Sequence, residues 1–274
     1  MMDGHAGEPP VDMRDGGDVE DLKAANAQEL HRAVREAGEE ELQRPVSALF
    51  WSGLAAGLAV SASLVAEGAI ASHLPAGPSH TLIVSLGYPI GFIMVILGRM
   101  QLFTESTVTA MLPLVTNPSW DAFGRTLRLW GVVLLANCVA TALATAAFAF
   151  MALGDASLDA GMIAVSMTIL DHGVLETFFN AVPAGFLIAI VAWSLPNARE
   201  QAFLVIFGIV YLVAIGGFSH SVVGSSEAFL LLWTGKIGVG GVLAFLVPAV
   251  LGNLLGGAGL FAVLAHGQVR DTGK

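Results

Sequence analysis

An all-α membrane protein with six transmembrane helices, the second and fifth of them broken, is the fold this sequence predicts. Three observations carry that prediction. Of the 274 residues, 55% are hydrophobic and only 12% charged, where a soluble domain carries about 25% charged residues. Most of the length falls into apolar blocks of about 17 to 25 residues, each long enough to cross a bilayer as a helix. Two blocks are interrupted at depth by polar residues, and such interruptions survive only where they are buried in protein or line a cavity.

The elements follow in order. Residues 1–45 form a polar, acidic N-terminal tail, residues 46–267 the six-span domain, and residues 268–274 a short C-terminal tail. Nothing in the tail resembles the apolar core of a signal peptide. It does carry a helical pattern of Val19, Leu22, Leu30, Val34 and Leu42 among charges, ended by Pro45. Such a helix either gates the mouth of a pore or lies passively on the surface. Spans are expected at 47–70, 80–115, 126–152, 177–195, 202–232 and 238–266.

Lys and Arg choose the orientation. Arg14, Lys23, Arg32, Arg35 and Arg44 precede the first span. Arg125 and Arg128, Arg199, and Arg270 with Lys274 lie on the same side, whereas Lys236 alone lies opposite. Both termini are therefore expected in the cytoplasm. The lone Cys138 forms no intrachain disulfide. No basic patch points to nucleic acid, and no motif calls for a cofactor. His73 and His80 flank a loop without metal-site spacing, and Trp51, Trp120, Trp130 and Trp233 read as interface anchors.

The two broken spans carry the chemistry. The second holds Arg99, Gln101, Thr104 and Glu105 in "LGRMQLFTESTVT"; the fifth holds His220 in "GGFSHS". Phe103-Thr104-Glu105-Ser106 aligns with Phe218-Ser219-His220-Ser221 at an offset of 115, and Asn137 aligns with Asn253. Three spans per half make this an inverted 3+3 repeat, and paired breaks in the two halves point to a transport site. Gly53/Gly57, Gly87/Gly91 and Gly252/Gly256 are small-residue packing pairs.

A titratable ring suits weak-acid passage, because it gives and regains a proton near neutrality. Hydroxyls of Thr104, Ser219 and Ser221 would orient it. Glu105 and Arg99 form either an ion pair stapling the loop or a selectivity charge. Asn137 and Asn253 tie the breaks by hydrogen bonds to freed backbone groups, and Thr107 and Thr109 bond back within their own half-helix.

Six spans with "LFTEST" in a broken second span, "GFSHS" in a broken fifth and "GN" in the sixth resemble the formate/nitrite transporter family. "GRMQLFTESTVT" and "LAHGQVR" look most like a less-characterised bacterial branch. The resemblance implies an aquaporin-like fold in the inner membrane, assembled as a homopentamer with one pore per protomer. It also implies passage of small monovalent anions or their conjugate weak acids, with His220 facing Thr104 in the pore. Leu102, Phe103, Phe218, Tyr88 and Phe92 match apolar pore positions. Two positions depart from the family: Gly173 stands where members commonly carry a lysine, and Glu105 where the formate and nitrite channels have a small residue. A non-transporting scaffold or sensor on the same fold is the alternative. A membrane enzyme is disfavoured, since only Glu67, Glu105, Glu227 and the His220 loop offer reactive groups within the spans.

Overall fold

The computed structural model describes residues 24–151 and 154–270, and every regular element among them is helical. Val19, Leu22, Arg14, Lys23 and Lys274 lie outside the described residues. Five helical stretches are long and apolar enough to cross a membrane: Val46–His73, His80–Leu97, Trp120–Met151, Val174–Ser194 and Val239–Arg270. The fifth expected span, 202–232, is divided into two half-length helices, Ala202–Ile215 and Ser221–Trp233. The chain has an all-α membrane fold.

The tail helix α1 (Ala27–Gln43) starts at Asn26, whose side chain accepts from the Gln28 and Glu29 amides while Glu29 returns a bond to the Asn26 amide. That reciprocal cap fixes its first turn. Asn197 holds the approach to it, accepting from the Ala25 amide at 2.8 Å and donating to the Ala25 carbonyl at 2.9 Å. Leu30, Val34 and Leu42 are buried. The helix closes on the span below through Gly38, where a Cβ would strike the Thr109 carbonyl. Overpacking such a contact costs about 1–3 kcal/mol, a roughly ten- to hundredfold rise in the open population. Gly38→Ala should therefore speed tryptic cleavage at Arg32 and Arg35 by that factor; unchanged cleavage would mean that α1 tolerates the extra methyl.

Helix α2 (Val46–His73) runs from Pro45 along α6 (Trp120–Met151). The second crossing comes in three pieces: α3 (His80–Val84), α4 (Pro89–Leu97) and α5 (Phe103–Thr116). A short helix not foreseen in the sequence, α7 (Ala156–Met167), is capped by Asp155 accepting from the Leu158 amide at 2.8 Å. Next come α8 (Val174–Ser194), α9 (Ala202–Ile215) and α10 (Ser221–Trp233). The last crossing is α11 (Val239–Leu254), a π-helical stretch over Leu255–Phe261, and α12 (Ala262–Arg270).

The glycine pairs bring these helices close. Gly53 and Gly57 meet Ala136, Asn137 and Ala140 of α6, Gly87 and Gly91 back onto α2, and Gly252 and Gly256 meet α8. All six are spent within one protomer, so they give no support to an oligomer interface. Of the four tryptophans read as interface anchors, Trp51 and Trp120 are exposed. Trp130 and Trp233 instead donate to the Ser106 and Ala142 carbonyls.

Candidate functional site

The two breaks are built alike. Each spans five residues, 98–102 and 216–220, between a C-capping glycine and an N-cap residue in extended conformation. Each turns through one left-handed residue: Gly217 (φ 64) in one, Arg99 (φ 50) in the other. Glycine takes that conformation freely, whereas arginine does so at a steric cost.

A buried asparagine secures each break. Asn137 accepts from the Phe103 amide at 2.9 Å and donates to the Gly53 and Gln101 carbonyls at 2.8 and 3.0 Å. Asn253 accepts from the Ser221 amide at 2.8 Å and donates to the Ala181 and Ser219 carbonyls at 2.8 and 3.0 Å. These bonds pair Phe103 with Ser221 and Leu102 with His220. The motif alignment at an offset of 115 is therefore displaced by three residues, and Thr104 is not the repeat equivalent of the residue beside His220. Ser221 Oγ is buried without a partner among the described residues, so it does not orient the ring as expected, while the asparagines serve the freed backbone.

His220 is the N-cap of α10. Its Nδ1 accepts from the Val223 amide at 3.2 Å, and its Nε2 lies 2.7 Å from the Thr104 hydroxyl. With Nδ1 accepting, the proton of the neutral ring sits on Nε2 and is directed at Thr104. A second proton on the ring would break the cap. This geometry suits a fixed donor better than the proton-exchanging ring expected from the sequence. Phe92 meets the ring edge-on at 4.9 Å, and Tyr88 packs on Phe92 at 5.5 Å. His220, Thr104, Phe92, Leu102 and Phe103 are all buried.

Two cavities approach this plug from opposite sides. One of about 640 Å³, on the side of the 74–79 and 168–173 loops, is lined by Glu67, Tyr88, Phe218, Ser219, His220 and Glu227. The other, about 560 Å³ on the side of the termini, is lined by Glu41, Arg99, Gln101, Leu102, Glu105 and Thr109. Phe103 faces neither; its amide serves Asn137. Arg99 and Glu105 share the second cavity, where Arg99 acts on Glu105 as a distant charge, and no ion pair joins them among the described residues.

Helix α1 forms a wall of that second cavity. Glu41 accepts from the Thr109 hydroxyl at 2.7 Å and from Gln101 Nε2 at 3.2 Å, so Thr109 does not bond back within its helix. Thr107 does, to the Thr104 carbonyl at 2.7 Å. Burial pushes the Glu41 carboxyl up from its ordinary range, opposed by those two hydrogen bonds and by Arg44. His31, 3.2 Å from His266, is pushed down by burial first and then by the charges of His266 and Arg35. Sequence reasoning missed Glu41 and His31, because their partners lie 60 to 235 residues away. It saw Glu67 and Glu227 only as isolated acids.

The family model for "Formate/nitrite transporter" matches residues 28–267. The chain is 39% identical over 253 residues to "Inner membrane protein YfdC" of Escherichia coli (strain K12), covering 92% of this chain and 82% of that one. It is 25% identical over 255 residues to "Uncharacterized transporter YrhG" of Bacillus subtilis (strain 168), covering 87% and 92%. Two solved structures share the fold. An "FNT family ion channel" superposes with a TM-score of 0.74 at 17% identity, covering 88% of this chain and 97% of that one. A "Pentameric formate channel with formate bound" gives 0.69 at 20% identity, covering 82% and 97%. The chain belongs to the formate/nitrite transporter family, and is thus a transport protein rather than an enzyme.

Proposed function

We propose that this protein carries small monovalent anions of the formate and nitrite type across a bacterial inner membrane, each together with a proton as its neutral acid. The path runs from the loop-side cavity past Tyr88 and Phe92, through the His220–Thr104 contact, and past Leu102 into the terminal-side cavity. Phe218 and Ser219 line the approach, and Glu105 with Arg99 sets the charge of the far chamber. Phe103 packs behind the path. Six spans in an inverted 3+3 repeat form one pore per protomer of a homopentamer, with both termini in the cytoplasm. The solved pentameric formate channel of like fold and the inner-membrane relative support assembly and location.

One observation carries the reading: a buried histidine N–H and a threonine hydroxyl meet at 2.7 Å between two cavities of about 640 and 560 Å³. Phe92 and Leu102, both 0% exposed, make the passage apolar. A bare anion entering it would lose its hydration at a cost of several kcal/mol even after relaxation. The neutral acid escapes most of that cost and needs only a hydrogen bond or two, which the Nε2–H and the Thr104 hydroxyl supply.

Stopped-flow uptake into proteoliposomes tests this against a panel of formate, nitrite, acetate, chloride, glycerol and urea. Acceleration over protein-free vesicles is expected for formate and nitrite, without acceleration for chloride, glycerol or urea. Equal passage of the neutral solutes would make it a solute channel, and no accelerated flux at all would leave a non-transporting scaffold.

A further inference from the structure

We propose that Glu67 and Glu227 form a shared proton site in the loop-side cavity, from which an entering anion takes the proton that makes it neutral. The proposal rests on the weak-acid reading above and names the groups that serve it. Glu67 projects from α2 and Glu227 from α10, and both line the cavity whose inner end is His220. They are 5% and 8% exposed, and near enough for their charges to act on each other. Glu67 Oε2 is fully buried and has no hydrogen-bond partner among the described residues.

Two buried carboxylates without a counter-ion are an unstable arrangement. The surroundings offer no remedy, for no Lys or Arg lines this cavity among the described residues. From the elements packed around the pair, Tyr88 faces it from the turn before α4, and His80 comes from α3. Asp171 and His172 come from the loop before α8, where His172 is drawn to Glu176 at 4.0 Å. Helix α7 presents Ser157 and small apolar residues only. The groups closest to the charge are thus another acid and a phenol. A proton on each carboxyl is what leaves the site neutral, and once one is given up the pair shares the other.

The transfer balances simply. The proton leaves the glutamic acid oxygen for an oxygen of the anion, giving a neutral acid and a carboxylate. The neutral acid moves on past Tyr88 and Phe92. The carboxylate then takes a proton from water at the cavity mouth. His220 keeps its single proton throughout, as its cap bond to Val223 requires.

Formate uptake by proteoliposomes, measured across about pH 5 to 8 for wild type, Glu67→Gln, Glu227→Gln and the double variant, tests the site. Each substitution keeps the side chain's shape and removes the transferable proton. At neutral pH the double variant is expected to lose flux by about tenfold or more, and the deficit should shrink as the pH falls and the acid arrives already protonated. A rise in flux would overturn the proposal, since it would make the pair a charge barrier to anions. A pH profile identical to wild type would overturn it too. Saturable thermal stabilisation by potassium or ammonium, lost in Glu67→Gln, would assign the pair to a cation instead. If wild type itself fails to accelerate formate or nitrite, the functional reading falls before the proton site is reached.

Discussion

His220→Asn should leave the protein folded and assembled while formate flux falls by roughly ten- to a hundredfold at every pH, the worth of one hydrogen bond to a polar permeant in a dry passage. Asparagine is among the best N-cap residues, so its Oδ1 replaces Nδ1 as acceptor for the Val223 amide. The start of α10 is then preserved. What disappears is the Nε2–H beside Thr104 and the ring that packs edge-on against Phe92. Circular dichroism and size-exclusion profiles matching wild type, with flux reduced, are the expected result. Wild-type flux in a folded variant would reduce His220 to a capping and packing residue.

Asn137→Ala should produce the largest loss of stability. Asn137 is fully buried and satisfies three backbone groups, the Phe103 amide and the Gly53 and Gln101 carbonyls. Alanine orphans all three where no lipid or neighbouring side chain replaces them. At about 1–3 kcal/mol for each unsatisfied group, less what backbone relaxation recovers, the loss is on the order of 4 kcal/mol. Thermal denaturation in mild detergent, with Asn253→Ala in parallel, would register it. A melting temperature near wild type would mean that water already serves those groups.

Much of this was readable because it follows from local pattern. Glycine at 216 and 217, polar residues within apolar blocks and an asparagine in each half announced two secured breaks. The register between them was misjudged because "FTES" begins on the residue whose amide Asn137 binds, whereas "FSHS" ends on the one whose amide Asn253 binds. Arg99 gave no signal of its left-handed backbone, which glycine would have advertised. Helix α7 was missed because the short apolar run after Asp155 is too brief to stand out in a chain of long spans. The acidic pair was out of reach for another reason: an isolated glutamate in a span shows its residue number but not the face it occupies. Only the packing of α2 beside α10 turns Glu67 and Glu227 into one cavity wall. In the same way, the spacing of the tail could not show that Glu41 would bond Thr109 and Gln101 in the terminal-side cavity.

The central claim, that the permeant crosses as a neutral acid, makes a direct statement about charge. Formate flux into proteoliposomes containing a pH-sensitive dye, with potassium and valinomycin imposing membrane potentials of either sign, measures it against protein-free vesicles. The account predicts one proton delivered per formate and an initial rate that does not respond to the potential. A rate that scales with the potential, with no internal acidification beyond that of protein-free vesicles, would show a bare anion passing His220 and contradict it.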